Sequence, residues 1–265
     1  MCDHGTALPL TASLEGPPGA PVLVLGDSLG TSRAVWDPQA PALAEQFRLL
    51  RFELPGHGGA AAPDGPYTIG GLGSGVLALL DQFGVERAAY CGLSLGGMIG
   101  MWLAAEYPGR IAALALVCTS AYLPPASAWL ARADQVRKAG LASISGPSIG
   151  RWFTPAFAER EPGVTARLAA DLERTDATGY AGCCAAIAAM DLRSRLGSIT
   201  APTLVVSGEQ DPATPPEHGS LIASGIRSAR HIVIAGAAHL ANVSSPDEVT
   251  PALLGHLGAG SYRLG

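Results

Sequence analysis

Gly92 Leu93 Ser94 Leu95 Gly96, followed at once by Gly97, stands between an apolar run at residues 88–91 and a segment with helical character. A serine hydroxyl is a poor nucleophile at neutral pH, so a hydrolase presents it on a tight strand-to-helix turn where a base can take its proton. Glycine on either side of the serine removes Cβ atoms that would clash where such a turn packs against its neighbours. A chance GxSxG is the competing explanation in a chain with 34 glycines among 265 residues. The strand-then-helix setting argues against coincidence, and Ser94 is read as a nucleophile.

Short aliphatic runs recur on both sides of this turn, at residues 21–25, 47–52, 87–91, 111–118, 202–207 and 230–234. Continuous apolarity over strand length marks strands buried on both faces, as in a mostly parallel central sheet flanked by helices. Residues 68–83 carry one helix between them, with Thr68 as its cap and Leu72, Val76, Leu79 and Leu80 on one face. Gly70, Gly71, Gly73 and Gly75 weaken that helix by roughly 0.5–1 kcal/mol each unless packing compensates.

From residue 121 to 192 the strand-like runs vanish, and helical segments alternate with breaks at Pro124 Pro125, Gly146 Pro147, Pro155 and Pro162 Gly163. The fold class is therefore α/β, with residues 1–120 and 193–265 as the core and 121–192 as an inserted helical cap. Trp129, Trp152, Phe153, Arg132, Arg137 and Arg151 are its candidates for lining a ligand cavity.

A serine nucleophile needs a base and an orienting acid, which in such a sheet follow in the chain order Ser, Asp or Glu, His. After the run at 202–207 comes Gly208 Glu209 Gln210 Asp211 Pro212, and after 230–234 comes Gly236 Ala237 Ala238 His239. Asp211 is preferred to Glu209 because it lies further into its loop. Of the six histidines only His239 has both the order and the post-strand position; His57, in Pro55 Gly56 His57 Gly58 Gly59, is read as a loop-holding imidazole. The oxyanion of an acyl-transfer intermediate needs two backbone N–H groups. Leu95, next after the nucleophile, supplies one, and Leu29 in the loop Gly26 Asp27 Ser28 Leu29 Gly30 Thr31 is expected to supply the other.

Composition narrows the partners. A formal charge of −5 and 15% charged residues offer no basic face for nucleic acid. No apolar run approaches the length of about 20 residues needed to cross a membrane, and the N-terminus has no secretion-signal pattern. Five cysteines with no CxxC spacing indicate neither a disulfide framework nor a metal site, and the expected location is the cytoplasm. No phosphate-binding glycine pattern is present, so no cofactor is expected. The sequence leaves the oligomeric state open.

With these residues in place, the chain resembles the α/β-hydrolase superfamily and, more narrowly, the 3-oxoadipate enol-lactonases of aromatic-acid catabolism. The resemblance rests on DSLGT at 27–31, WDPQ at 36–39, GPYTI at 65–69, CGLSLGGMIGMW at 91–102, WFTP at 152–155, GYAGCCAAIAAMDL at 179–192, DPATPPEH at 211–218 and AHLAN at 238–242. It spans nearly the whole chain, including the insertion. Two positions depart from the family pattern. Glu53 Leu54 Pro55 Gly56 His57 Gly58 lacks the arginine usual in that loop, and Asp27 stands where asparagine is common; its carboxylate is expected to point away from the site and hold the loop.

The resemblance implies an α/β-hydrolase fold and hydrolysis of a carboxylated enol-lactone to 3-oxoadipate through a Ser-His-Asp acyl-enzyme. The substrate carboxylate then needs a cation in the insertion or its rim. Arg132 is the first candidate, with Arg33 and Arg137 behind it, and Trp129 and Trp152 are expected to line the substrate. A general carboxylesterase or lactonase acting on a neutral ester would share every catalytic residue. A ligand-binding receptor on a hydrolase scaffold is the non-enzymatic alternative, disfavoured because the three catalytic residue types are all present.

Overall fold

The computed structural model describes residues 6–227 and 229–258. Seven strands, β1 (Thr11–Glu15), β2 (Val22–Gly26), β3 (Arg48–Glu53), β4 (Ala88–Leu93), β5 (Ile111–Val117), β6 (Thr203–Gly208) and β7 (Ala229–Ile234), form one sheet in the order β1-β3-β2-β4-β5-β6-β7. Every pairing is parallel except β1 with β3. The six aliphatic runs of the sequence all become strands. β2, β4, β5 and β6 are buried along their whole length, as continuous apolarity predicts.

Two strands depart from the sequence reading. β1 pairs Thr11 with Glu53 and Glu15 with Leu49 at the antiparallel edge, where half-exposed residues leave no apolar run to detect. β7 is the other edge rather than a central strand, and Val233 is 47% exposed there.

Among the described residues a 3-10 turn (Arg33–Trp36) and three α-helices precede the insertion: α1 (Ala40–Ala44), α2 (Ile69–Gln82) and α3 (Leu95–Glu106). Thr68 caps α2 by accepting from the Gly71 N–H at 2.9 Å. Two of its glycines are explained by close packing, because a Cβ at Gly73 would lie 2.2 Å from the Trp102 ring and one at Gly75 2.4 Å from the Leu8 carbonyl oxygen. α3 leaves the tip of β4 and packs on β2, β4 and β5, with α2 against it.

Between β5 and β6 the chain forms α4 (Ala126–Ala139), α5 (Ala142–Trp152), α6 (Pro155–Arg160), α7 (Pro162–Glu173) and α8 (Ala177–Ala189). The prolines act differently from simple breaks. Pro155 and Pro162 occupy first helical positions, where a missing N–H costs nothing, whereas Gly146 and Pro147 lie inside α5. A bridge between Tyr122 and Asp191 closes the base of this excursion. α9 (Pro216–Gly225) joins β6 to β7, and α10 (Ala241–Ser244) and α11 (Pro246–Leu257) follow the last strand. Among the described residues no helix is long and apolar enough to cross a membrane.

Candidate active site

The parallel register brings Gly26 opposite Gly92, and Leu93 opposite Val117, so the loops after β2, β4 and β5 emerge side by side. Ser94 sits at the turn from β4 to α3 with φ 52° and ψ −112°, a strained conformation for a residue with a Cβ. The neighbouring chain passes so close that a Cβ at Gly92 would lie 2.3 Å from the Gly96 carbonyl, and one at Gly96 would lie 2.3 Å from the Gly26 oxygen. The strain is held by hydrogen bonds from the Ser94 N–H to the Val117 carbonyl (2.9 Å) and from the Thr119 hydroxyl to the Ser94 carbonyl (2.6 Å).

Facing this serine is His239, on the loop after β7, with Nε2 2.9 Å from the Ser94 Oγ. Its Nδ1 lies 2.8 Å from Asp211 Oδ2, on the loop after β6. All three side chains are buried. Asp211 also accepts from the Ala213 N–H (2.8 Å), the Thr214 N–H (3.0 Å) and the Thr214 hydroxyl (2.7 Å). Burial alone would raise the Asp211 carboxyl, but the charge and hydrogen bond of His239 together with the Thr214 contacts hold it below the usual carboxylate range. An ionised Asp211 fixes the proton on Nδ1, which leaves Nε2 to accept from Ser94. The Leu240 N–H donates to the Trp152 carbonyl at 3.0 Å, tying the histidine loop to α5.

The loop at 26–31 runs beside the serine. Leu95 is the first residue of α3, so its N–H has no acceptor one turn back in the helix. The Leu29 N–H makes no hydrogen bond among the described residues. Around these two donors the loop is pinned: the Asp27 carbonyl accepts from Gly96 N–H (2.9 Å), the Gly26 carbonyl from the Trp36 indole (3.2 Å), and the Gly30 N–H donates to His57 Nε2 (3.0 Å). His57 Nδ1 in turn lies 2.9 Å from the Pro55 carbonyl, and complete burial lowers its pKa to about 4, so the ring is neutral and holds two loops together. Asp27 differs from its expectation. Its carboxyl is fully buried and neither oxygen has a hydrogen-bond partner, so the loop is held by the Asp27 backbone rather than by its side chain.

Ser28, Leu29, Ser94, Met98 and His239 line one side of a cavity whose other side comes from the helical insertion, through Trp129, Arg132, Arg151, Trp152, Tyr180 and Ile187. Arg132 donates to the Tyr180 hydroxyl (2.7 Å) and to Ser148 Oγ (2.8 Å), and Arg151 reaches the same Ser148 Oγ at 3.4 Å. Burial lowers the Arg151 pKa, with the neighbouring Arg132 charge adding to it. Among the described residues neither arginine pairs with a carboxylate. The other candidates lie elsewhere. Arg33 pairs with Glu53 at 3.5 Å and donates to Ser13, and Arg137 pairs with Asp134 at 3.6 Å on the surface.

The remaining histidines are placed away from the serine: His231 bonds Ser207, His256 bonds the Leu114 carbonyl and His218 bonds Ser120, while His4 lies outside the described residues. Sequence reasoning did not single out Thr214, Ser148 or Tyr180. Thr214, three residues after Asp211, carries the signature of an Asx-type turn and could have been found that way. Ser148 and Tyr180 have no local signal, because their roles arise only where α4, α5 and α8 meet.

Residues 21–246 match the family described as alpha/beta hydrolase fold. The 3-oxoadipate enol-lactonase 2 of Acinetobacter baylyi is 38% identical over 231 residues, which cover 85% of this chain and 84% of that protein. The 3-oxoadipate enol-lactonase 1 of the same organism is 34% identical over 239 residues, covering 90% and 89%. The crystal structure of the enol-lactonase from Burkholderia xenovorans LB400 superimposes with a TM-score of 0.92 at 39% identity, covering 94% of this chain and 96% of that one.

Proposed function

We propose, because this chain belongs to the alpha/beta hydrolase fold family, that it is a serine hydrolase which opens the lactone ring of 3-oxoadipate enol-lactone to give 3-oxoadipate. The observation that carries the reading is the hydrogen-bonded series Ser94, His239, Asp211 facing a cavity that also holds two arginines without carboxylate partners among the described residues. The similarity to enol-lactonases supports the same substrate.

In this reading Ser94 Oγ attacks the lactone carbonyl while His239 Nε2 takes its proton, and Asp211 stabilises the imidazolium that forms. The N–H groups of Leu29 and Leu95 receive the developing oxyanion. Collapse of the tetrahedral intermediate breaks the ring C–O bond and leaves an acyl-enzyme. The leaving group is an enol, more acidic than an alcohol, and it takes the proton from His239 with little driving force required. Water, deprotonated by His239, then attacks the acyl-enzyme and frees the carboxylate and Ser94. The enol tautomerises to the ketone of the product.

Arg132 receives the carboxylate of the substrate, with Arg151 beside it and Trp129 and Trp152 as apolar walls. Residues 121–192 act as the cap of a core formed by the described residues of 1–120 and 193–265. The four described cysteines are buried and unpaired, which supports work in the cytoplasm.

The test follows loss of enol-lactone absorbance against a panel of neutral lactones and esters. A large preference for the carboxylated enol-lactone is expected; equal rates across the panel would return the chain to a general esterase. Ser94→Ala is expected to lower turnover roughly 10⁴-fold or more on every substrate. Unchanged turnover in that variant would overturn the nucleophile.

A further inference from the structure

Directly behind the oxyanion loop lies a carboxyl group that the mechanism does not use. Asp27 follows the last residue of β2, is 0% exposed, and leaves both oxygens without a hydrogen-bond partner. Three donors around it are committed elsewhere, although the buried Arg51 Nε has no partner of its own. The Trp36 indole donates to the Gly26 carbonyl, the Tyr90 hydroxyl to the Gly96 carbonyl, and the Arg33 N–H to Glu53. From β3, Glu53 presents a second carboxylate, also buried, and Arg51 a guanidinium that donates to the Arg33 carbonyl and to Asp37. Arg33, preceding the turn to Trp36, pairs with Glu53, and Asp171 on α7 adds a further negative group on the Glu53 side.

An ionised carboxylate whose oxygens have no well-formed hydrogen bond, buried beside another carboxylate, is a costly arrangement for a protein to hold. The neutral acid removes that cost. Burial first, and then the Glu53 charge, raise the Asp27 pKa well above the usual carboxylate value, against the weaker opposing pull of Arg51, Arg33 and the nearby Trp36 indole. The backbone of the same residue is what links the two halves of the oxyanion site, because the Asp27 carbonyl accepts from Gly96 N–H while Leu29 stands two residues along the loop.

We propose that Asp27 is a positioning residue that the folded protein keeps protonated, and that its ionisation as the pH is raised shifts the 26–31 loop and withdraws the Leu29 N–H from the oxyanion. The rate consequence rests on the hydrolase reading given above; the protonation itself does not. Loss of the proton creates a buried charge that must find water or a donor, and the adjoining loop, pinned through the Gly26, Asp27 and Gly30 backbone, is the segment that charge would strain. The sign for stability follows from linkage. Above the carboxylate range of the unfolded chain, the unfolded state releases the Asp27 proton while the folded state retains it, so stability falls as pH rises towards the folded pKa.

Asp27→Asn supplies an isosteric neutral side chain, so three readouts apply. The thermal midpoint of the variant should exceed that of the wild type by about 3–5 °C for each tenfold gain in the folding constant, and the difference should grow as pH rises above about 4. The alkaline fall of kcat/KM, measured on p-nitrophenyl acetate with the uncatalysed rate subtracted, should move to higher pH. Infrared difference spectra at neutral pH, wild type minus variant, should show the carbonyl stretch of a protonated carboxylic acid. A gain that does not grow with pH, or an absent acid band, would overturn the proposal. If the variant does not fold, the band is sought in the wild type alone as the pH is raised, and its absence at neutral pH is equally fatal. If no ester is turned over, the hydrolase reading fails while the infrared and thermal measurements still decide the state of Asp27.

Discussion

At the residue scale the site depends on side chains whose partners are fixed by burial, and His57 is the clearest case. Its ring accepts from Gly30 N–H and contacts the Pro55 carbonyl, and burial lowers its pKa from 6.5 to about 4. Between those values the unfolded chain binds a proton that the folded chain refuses, so stability falls as pH drops through that window. The span corresponds to roughly 3 kcal/mol at about 1.4 kcal/mol per pH unit. His57→Leu is therefore expected to flatten the acid side of the stability profile. The same change orphans the Gly30 N–H and the Pro55 carbonyl, so the variant should be weaker at neutral pH by about 1–3 kcal/mol per group left unpaired. Urea midpoints from pH 4 to 8 measure both effects; an unchanged acid slope would assign it to other groups. That Ser94, Asp211 and His239 stand on loops that meet was legible in the sequence, because chain order and post-strand position are properties of the chain. The unpaired state of the Asp27 carboxyl was not, since it depends on which donors from β3, β4 and the 33–36 turn are already taken.

At the element scale the sheet could be read wherever burial on both faces imposes continuous apolarity, and it could not be read at the edges. β1 has too few apolar residues to register, and β7 has more than an edge requires. The glycines of α2 show why propensity alone misleads. An exposed glycine in a helix is destabilising relative to alanine by roughly 0.5–1 kcal/mol. At Gly73 a methyl group would instead meet the Trp102 ring at 2.2 Å, and overpacking of this kind costs about 1–3 kcal/mol. The larger effect wins, so Gly73→Ala should lower the thermal midpoint. Gly255 in α11 has no atom within 4 Å of the point where a methyl group would stand, and there alanine should raise the midpoint. Calorimetry of the two variants checks the pair; stabilisation by both would mean that α2 and α3 can separate without cost.

At the scale of the whole molecule, a chain with a formal charge of −5 is expected to take in an anionic substrate, and its general field opposes that. The attraction has to be local. Arg132 and Arg151 share Ser148 within the cavity and have no carboxylate partner among the described residues, so their charge remains available to a ligand. A charge-assisted hydrogen bond contributes about 1.5–3 kcal/mol, so Arg132→Ala should raise KM for the acidic enol-lactone by roughly 10- to 100-fold and leave a neutral ester near its original value. Ionic strength separates the two fields. Raising it from about 0.01 to 0.15 M shortens the screening length from about 30 to 8 Å, which weakens repulsion from the distant surface far more than contact with partly buried arginines. Turnover of the acidic substrate at low concentration should therefore hold or rise with salt in the wild type, while the neutral ester stays level. A steep fall with salt would place the attraction on exposed charges, and equal effects of Arg132→Ala on both substrates would remove that arginine from carboxylate recognition.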